Sequence, residues 1–352
     1  MAPSTYPTRT YTTIRSLTYS YMHIQPTSPS NPSILFLHGF PSSSHDWHHQ
    51  IAYFETLGYG IIAPDLLGYG GTSKPPFMDF YKFKDMASDL EEILSLHSIS
   101  PIRKVMGVGH DWGSLMLLKL VNYYPELFEK LAFLDVCYLP PNGPAFDFQT
   151  LESVISICCS PDDDTEIEYM GATGGFRKWP DGSTVASYPD FFIGEDVECS
   201  KSFSSLQNGG FGAANNWYTT QLYGINEADD KAIPAEKIII HQPTLLITSD
   251  AFVNSGVDFS SQMSPYVPDL KVVHWNCSHW IQLQKSQETN LLLREFFKGS
   301  GEISCHDTRA HLQSNFKTLI IPYHHPYHWS ISNISLNFSF QISLHCDLPP
   351  HA

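Results

Sequence analysis

Short runs of consecutive apolar residues alternate with longer amphipathic stretches over the first part of the chain. The runs are Ile34-Leu35-Phe36-Leu37, Tyr59-Gly60-Ile61-Ile62-Ala63-Pro64, Val105-Met106-Gly107-Val108 and Leu131-Ala132-Phe133-Leu134. Each is short and apolar at nearly every position, which predicts strands covered on both faces. Between the second and third runs, residues 84–96 place Met86, Leu90, Ile93 and Leu94 at helical spacing. Residues 114–120 read as the opening of a buried helix. Strands alternating with helices predict an α/β fold, a mostly parallel sheet with helices on both faces. Its active site is expected at the carboxyl ends of the strands.

The alternation stops near residue 139. Residues 139–234 carry Pro, Gly, Asp and aromatics with few strand-like runs, which predicts an inserted helical lid. The lid divides a core whose first part is 1–138 and whose second part is 235–300. In that second part, strand character returns at 244–248 and 270–274, and 287–297 reads as a closing helix. Residues 301–352 are rich in histidine, poor in charge and without a helical period, and a poorly ordered tail is expected there.

Composition narrows the class. The 352 residues are 42% apolar and only 16% charged, with a formal net charge of −16. That charge opposes binding to nucleic acid or to an anionic membrane. No signal-like stretch opens the chain and no apolar run reaches the length of a membrane span. The seven cysteines are scattered without a CxxC spacing. They read as reduced thiols, so a cytoplasmic location is expected. The cluster His324-His325-Pro326-Tyr327-His328 lacks accompanying carboxylates or cysteines, so no metal site is expected there.

The candidate chemistry centres on Gly109-His110-Asp111-Trp112-Gly113. The spacing small-x-nucleophile-x-small marks a strained strand-to-helix elbow, which lifts its central side chain above the sheet. Here that residue is aspartate rather than serine. A carboxylate attacks a saturated carbon, displaces a leaving group and forms an ester that water must cleave. Ester cleavage calls for an oxyanion hole, expected from the N–H groups of Trp112 and Phe40. His38-Gly39-Phe40-Pro41 sits after the first catalytic strand, and His38, Gly39, Pro41 and His110 are read as supporting motif residues. His279, in Cys277-Ser278-His279-Trp280, is the expected general base for water. Asp250, after the strand at 244–248, is preferred as the acid that orients it; Asp258 and Asp135 are the alternatives.

With these residues assembled, the chain resembles the soluble epoxide hydrolases of the α/β-hydrolase superfamily, especially their fungal branch. The resemblance covers about residues 8–298. It rests on His38-Gly39-Phe40-Pro41, on the segment 65–75, on the elbow, on Asn216-Trp217-Tyr218 and on Ser278-His279-Trp280-Ile281-Gln282. It implies opening of a small-molecule epoxide by water to a vicinal diol, without a cofactor. It further implies that Tyr218 donates to the epoxide oxygen. The family carries a second such tyrosine early in the lid. Here Phe146-Asp147-Phe148-Gln149-Thr150 runs directly into Leu151-Glu152-Ser153-Val154, and that tyrosine has no counterpart. Tyr169, Tyr188 and Tyr223 are the substitutes considered, without a motif to support any of them.

Two other readings accompany this one. A haloalkane dehalogenase also uses an elbow aspartate, but Phe40 stands where an asparagine would bind the departing halide. The shortened lid suggests a catalytically impaired family member.

Overall fold

A computed structural model describes residues 6–137, 212–250 and 258–298. Most of the expected lid, with Tyr169 and Tyr188, and the whole tail at 301–352 lie outside the described residues.

Among the described residues eight strands form a single sheet in the order β1-β2-β4-β3-β5-β6-β7-β8. In chain order they are β1 (Thr8–Thr12), β2 (Thr18–Ile24), β3 (Ser33–Leu37), β4 (Gly60–Pro64), β5 (Val105–His110), β6 (Phe128–Leu134), β7 (Thr244–Ser249) and β8 (Leu270–Trp275). The pairs β1–β2 and β2–β4 are antiparallel and the rest of the sheet is parallel. The helices are α1 (His48–Thr56), α2 (Phe83–Leu96), α3 (Trp112–Tyr123), α4 (Asn216–Leu222), α5 (Glu227–Lys231), α6 (Ala235–Ile238), α7 (Phe259–Met263), α8 (Ile281–Gln284) and α9 (Ser286–Lys298). The α/β architecture read from the apolar runs is the observed one.

Two apolar layers explain why the central strands are hydrophobic at every position. Leu35, Leu37, Val105, Leu131, Phe133 and Leu246 face α2 and α3, against Met86, Leu90, Met116 and Leu117. Ile34, Phe36, Met106, Val108, Ala132, Leu134 and Ile247 face the other way, against Ile51 and Phe54 of α1 and Leu293 and Phe297 of α9. Successive strand residues point to opposite faces, so a sheet covered on both sides needs both sets apolar. In α2 the buried positions Phe83, Met86, Ala87, Leu90, Ile93 and Leu94 form one helical stripe.

The antiparallel β1–β2 hairpin lies outside the apolar-run pattern, and no strand is expected there from it. Its inward residues Leu17, Tyr19 and Tyr21 belong to the α2 layer. The hairpin is fastened to α2 by Asp89, which is buried. Its Oδ2 accepts from Arg15 at 2.6 Å and from the Tyr19 hydroxyl at 2.9 Å. A buried carboxylate is tolerable only with such partners.

Residues 216–231 return to the core through specific contacts. The indole of Trp217 donates to Leu67 O at 2.8 Å, Phe83 N–H donates to Asn226 Oδ1 at 2.9 Å, and Lys119 pairs with Asp230 at 2.6 Å. These hold α4, and with it Tyr218, over the carboxyl end of the sheet. Among the described residues no helix is long and apolar enough to cross a membrane. The described cysteines Cys137 and Cys277 are buried.

Candidate active site

Adjacent parallel strands deliver the candidate residues to one edge of the sheet. His38 follows β3, Asp111 follows β5, Asp135 follows β6, and His279 lies in the loop after β8. Asp111 has φ +52°, ψ −124°, the strained geometry of an elbow. The flanking glycines are needed for space. A Cβ on Gly113 would lie 2.1 Å from Leu37 O, and one on Gly109 would lie 2.6 Å from Gly113 O. Any larger side chain would force α3 away from β3 and β5.

The Asp111 carboxylate is held at both ends. Phe40 N–H donates to Oδ1 at 2.8 Å, and Trp112 N–H also bonds the carboxylate. Oδ2 lies 3.6 Å from His279 Nε2. Burial raises the Asp111 pKa above the usual carboxylate range, opposed by His279 and by the two N–H donors. The Asp111 side chain is 17% exposed, against 3% for His279 and none for Asp135, so the carboxylate at the elbow is the reachable member.

His38 sets the direction of the Phe40 donor. Leu66 N–H donates to His38 Nε2 at 2.9 Å, so Nδ1 carries the proton and donates to Gly39 O at 2.8 Å. Gly39 C=O and Phe40 N–H belong to one peptide plane, so fixing the carbonyl aims the N–H at Asp111. Burial pushes the His38 pKa down to about 4, which keeps the ring in this neutral form. The Phe40–Pro41 peptide is cis.

The carboxylate that lies against His279 is Asp135, not the expected Asp250. His279 Nδ1 lies 2.6 Å from Asp135 Oδ2, and Asp135 is fully buried. Its other oxygen accepts from Ser249 N–H at 2.9 Å and from Ser249 Oγ at 2.5 Å. Like Asp111, Asp135 turns its carboxylate at a positive φ of 60°. Burial raises its pKa, while His279 and Ser249 oppose the rise. Asp250 instead bonds His274 Nε2 at 2.9 Å, on the part-exposed side of β8. His274 is held in turn by Thr248 at 3.1 Å, so both ends of that ring are occupied away from Asp111. Asp258 caps α7 through Ser261 N–H at 3.0 Å. The β7 end therefore spends its aspartate on a neighbouring strand, while the β6 end faces the histidine.

Tyr218 is brought to the site. Its ring packs edge-on against Phe40 at 5.1 Å and Trp112 at 4.7 Å, the two residues whose N–H groups bind Asp111. Tyr223 is 70% exposed just past α4 and does not share that packing. His110 lies beneath His279, its ring 4.5 Å away, and is fully buried. Two residues given no role by motif reading, Ser249 and Gln282, hold Asp135 and His110 respectively. Among the described residues no group of His, Cys, Asp and Glu is arranged to hold a metal ion.

Comparison with known proteins agrees with this fold. Residues 32–156 match the family described as alpha/beta hydrolase fold. The chain is 25% identical over 318 residues to epoxide hydrolase srdG of Neurospora crassa, covering 80% of this chain and 92% of that one. It is 25% identical over 303 residues to bifunctional epoxide hydrolase 2 of Sus scrofa, covering 76% of this chain and 52% of that one. The chain thus spans about half the length of that mammalian relative. Among solved structures, a mutant of Vigna radiata epoxide hydrolase superposes with a TM-score of 0.64 at 22% identity, covering 83% of this chain and 98% of that one. The chain thus has the α/β-hydrolase fold, and the proteins it resembles in sequence are named epoxide hydrolases.

Proposed function

We propose that this protein is an epoxide hydrolase that opens a small-molecule epoxide with water through an ester on Asp111. The observation that carries the reading is the two-ended hold on that carboxylate: Oδ1 bound by Phe40 N–H and Oδ2 facing His279 Nε2. The relatives named epoxide hydrolases support the reaction class.

In the first step Oδ2 attacks an epoxide carbon, the carbon–oxygen bond breaks, and the oxygen leaves as an alkoxide. Tyr218, packed on the oxyanion residues, donates the proton that this oxygen needs. In the second step His279 takes a proton from water, and the hydroxide attacks the Asp111 Cγ. Asp135 stabilises the imidazolium so formed. Negative charge gathers on Oδ1, where the Phe40 N–H already points, and the Trp112 N–H bonds the same carboxyl group. The acyl carbon–oxygen bond then breaks, the His279 imidazolium gives its proton to the leaving oxygen, the proton left on the Asp111 carboxyl restores the Tyr218 hydroxyl, and the diol departs. No cofactor takes part. A dehalogenase reading gains no support from the site, since Phe40 offers no side-chain donor for a halide.

The test is turnover of alkyl and aryl epoxides by the purified chain, beside Asp111→Asn and His279→Gln. Diol from the wild type alone is the expected result. Halide release from haloalkanes without diol formation would replace the reading.

A further inference from the structure

The geometry points to Gln282 and His110 as positioning residues for the base His279, acting by fixing the His110 proton on Nε2. This rests on the proposed role of His279. His110 Nε2 lies 2.9 Å from the His279 carbonyl oxygen, and Gln282 Nε2 lies 3.2 Å from His110 Nδ1. A carbonyl only accepts, so His110 Nε2 must carry a proton. A neutral ring then leaves a lone pair on Nδ1, and Gln282 has to present its NH2 group rather than its oxygen. Gln282 is itself held, since Gln50 of α1 donates to its backbone carbonyl at 3.0 Å. Gln50, His110 and Gln282 are all fully buried, so the chain of bonds is shielded from water.

The reason for this arrangement is the charge that His279 must acquire. His279 becomes an imidazolium each time it activates water, with the His110 ring tilted against it 4.5 Å away. A second cation there would oppose that step. The ionisable groups around the pair are Asp111 on β5's elbow, Asp135 after β6, His38 after β3 and Cys277 before His279. Of these, Asp135 supports a charged His279 at every step and Asp111 only while its carboxylate is free of the ester, and His38 opposes a charged His110. A glutamine donor supplies what the two carboxylates cannot: it holds His110 neutral and keeps its Nε2–H on the His279 backbone.

Nitrogen-15 NMR of histidine-labelled wild type at neutral pH reads the tautomer directly. A bare Nδ1 and a protonated Nε2 on His110 are expected; a protonated Nδ1 or an imidazolium overturns the inference. Gln282→Met and Gln282→Glu then test the consequence by separating ester formation from ester hydrolysis. Gln282→Met should slow hydrolysis about tenfold or more while ester formation stays within about threefold. Gln282→Glu, whose carboxylate draws a proton onto Nδ1, should make His110 cationic and move the acid limb of hydrolysis to lower pH. Wild-type hydrolysis rates and pH profiles in both folded variants would also overturn it. If neither variant folds, the wild-type tautomer decides. If the wild type turns over no epoxide, the functional reading fails, and the tautomer still tests the positioning.

Discussion

Asp135 Oδ2 lies 2.6 Å from His279 Nδ1, although Asp250 holds the expected place after β7. Removing the Asp135 charge leaves a buried imidazolium unsupported and frees the ring to take the wrong tautomer. Asp135→Asn should lower ester hydrolysis by about a thousandfold or more, with ester formation much less affected. Asp250→Asn, which breaks only the part-exposed bond to His274, should change turnover by no more than about twofold. Single-turnover kinetics on both variants check the assignment. The reverse ranking would return the role to Asp250.

His38 acts on the oxyanion hole through one peptide plane. His38→Ala removes both the bond to Gly39 O and the acceptor for Leu66 N–H. The Phe40 N–H then loses its aim, and hydrolysis should fall about a hundredfold with little change in KM. Steady-state kinetics with circular dichroism to confirm folding measure this. A KM effect without a fall in kcat would contradict it.

Tyr218 and His279 serve different steps. Tyr218→Phe should slow epoxide opening by about a hundredfold and leave hydrolysis of a formed ester unchanged. His279→Gln should do the opposite and let an ester accumulate on Asp111. Intact-protein mass spectrometry after mixing with epoxide distinguishes them, since only the second variant should gain the substrate's mass.

A pH effect on stability follows from His23. Its ring stacks on His97 at 3.7 Å, and burial, then His97 and Arg9, lower its pKa to about 4. Between pH 6.5 and about 4 the unfolded chain binds a proton that the folded chain refuses. Stability contributed by the neutral ring is thus present above the unfolded pKa and lost as pH falls through this window. Relative to His23→Phe, the wild type should lose at most roughly 1.4 kcal/mol per pH unit there. Urea unfolding of both proteins at several pH values gives the slope. A constant difference would show that His23 is protonated alike in both states.

Much of this architecture is legible in the sequence because burial on both faces leaves an unmistakable trace. Ile34 to Leu37 are apolar without a break because alternate residues enter opposite layers. Asp111 is legible because only glycine fits at 109 and 113 beside Leu37 O. The β1–β2 hairpin is not, since Tyr19 and Tyr21 alternate with part-buried Thr18, buried Ser20 and part-buried Met22 and so form no run of aliphatic residues. Asp135 stands among the candidates but not first. Its selection depends on a positive φ and on Ser249, 114 residues away, and neither is local to its own strand. Gln282 is visible within a motif, yet its partner His110 is 172 residues distant. Spacing along the chain carries no record of such a contact.

The central claim is the covalent ester, and oxygen tracing reaches it most directly. Wild-type protein in excess over an epoxide would be reacted once in oxygen-18 water, and the diol and the peptide bearing Asp111 weighed. The expected result is unlabelled diol with one heavy oxygen in the Asp111 carboxylate, because the diol carries away Oδ2 and water replaces it. Heavy oxygen in the diol with an unlabelled Asp111 would mean that water attacks the epoxide itself, and the ester mechanism would be wrong.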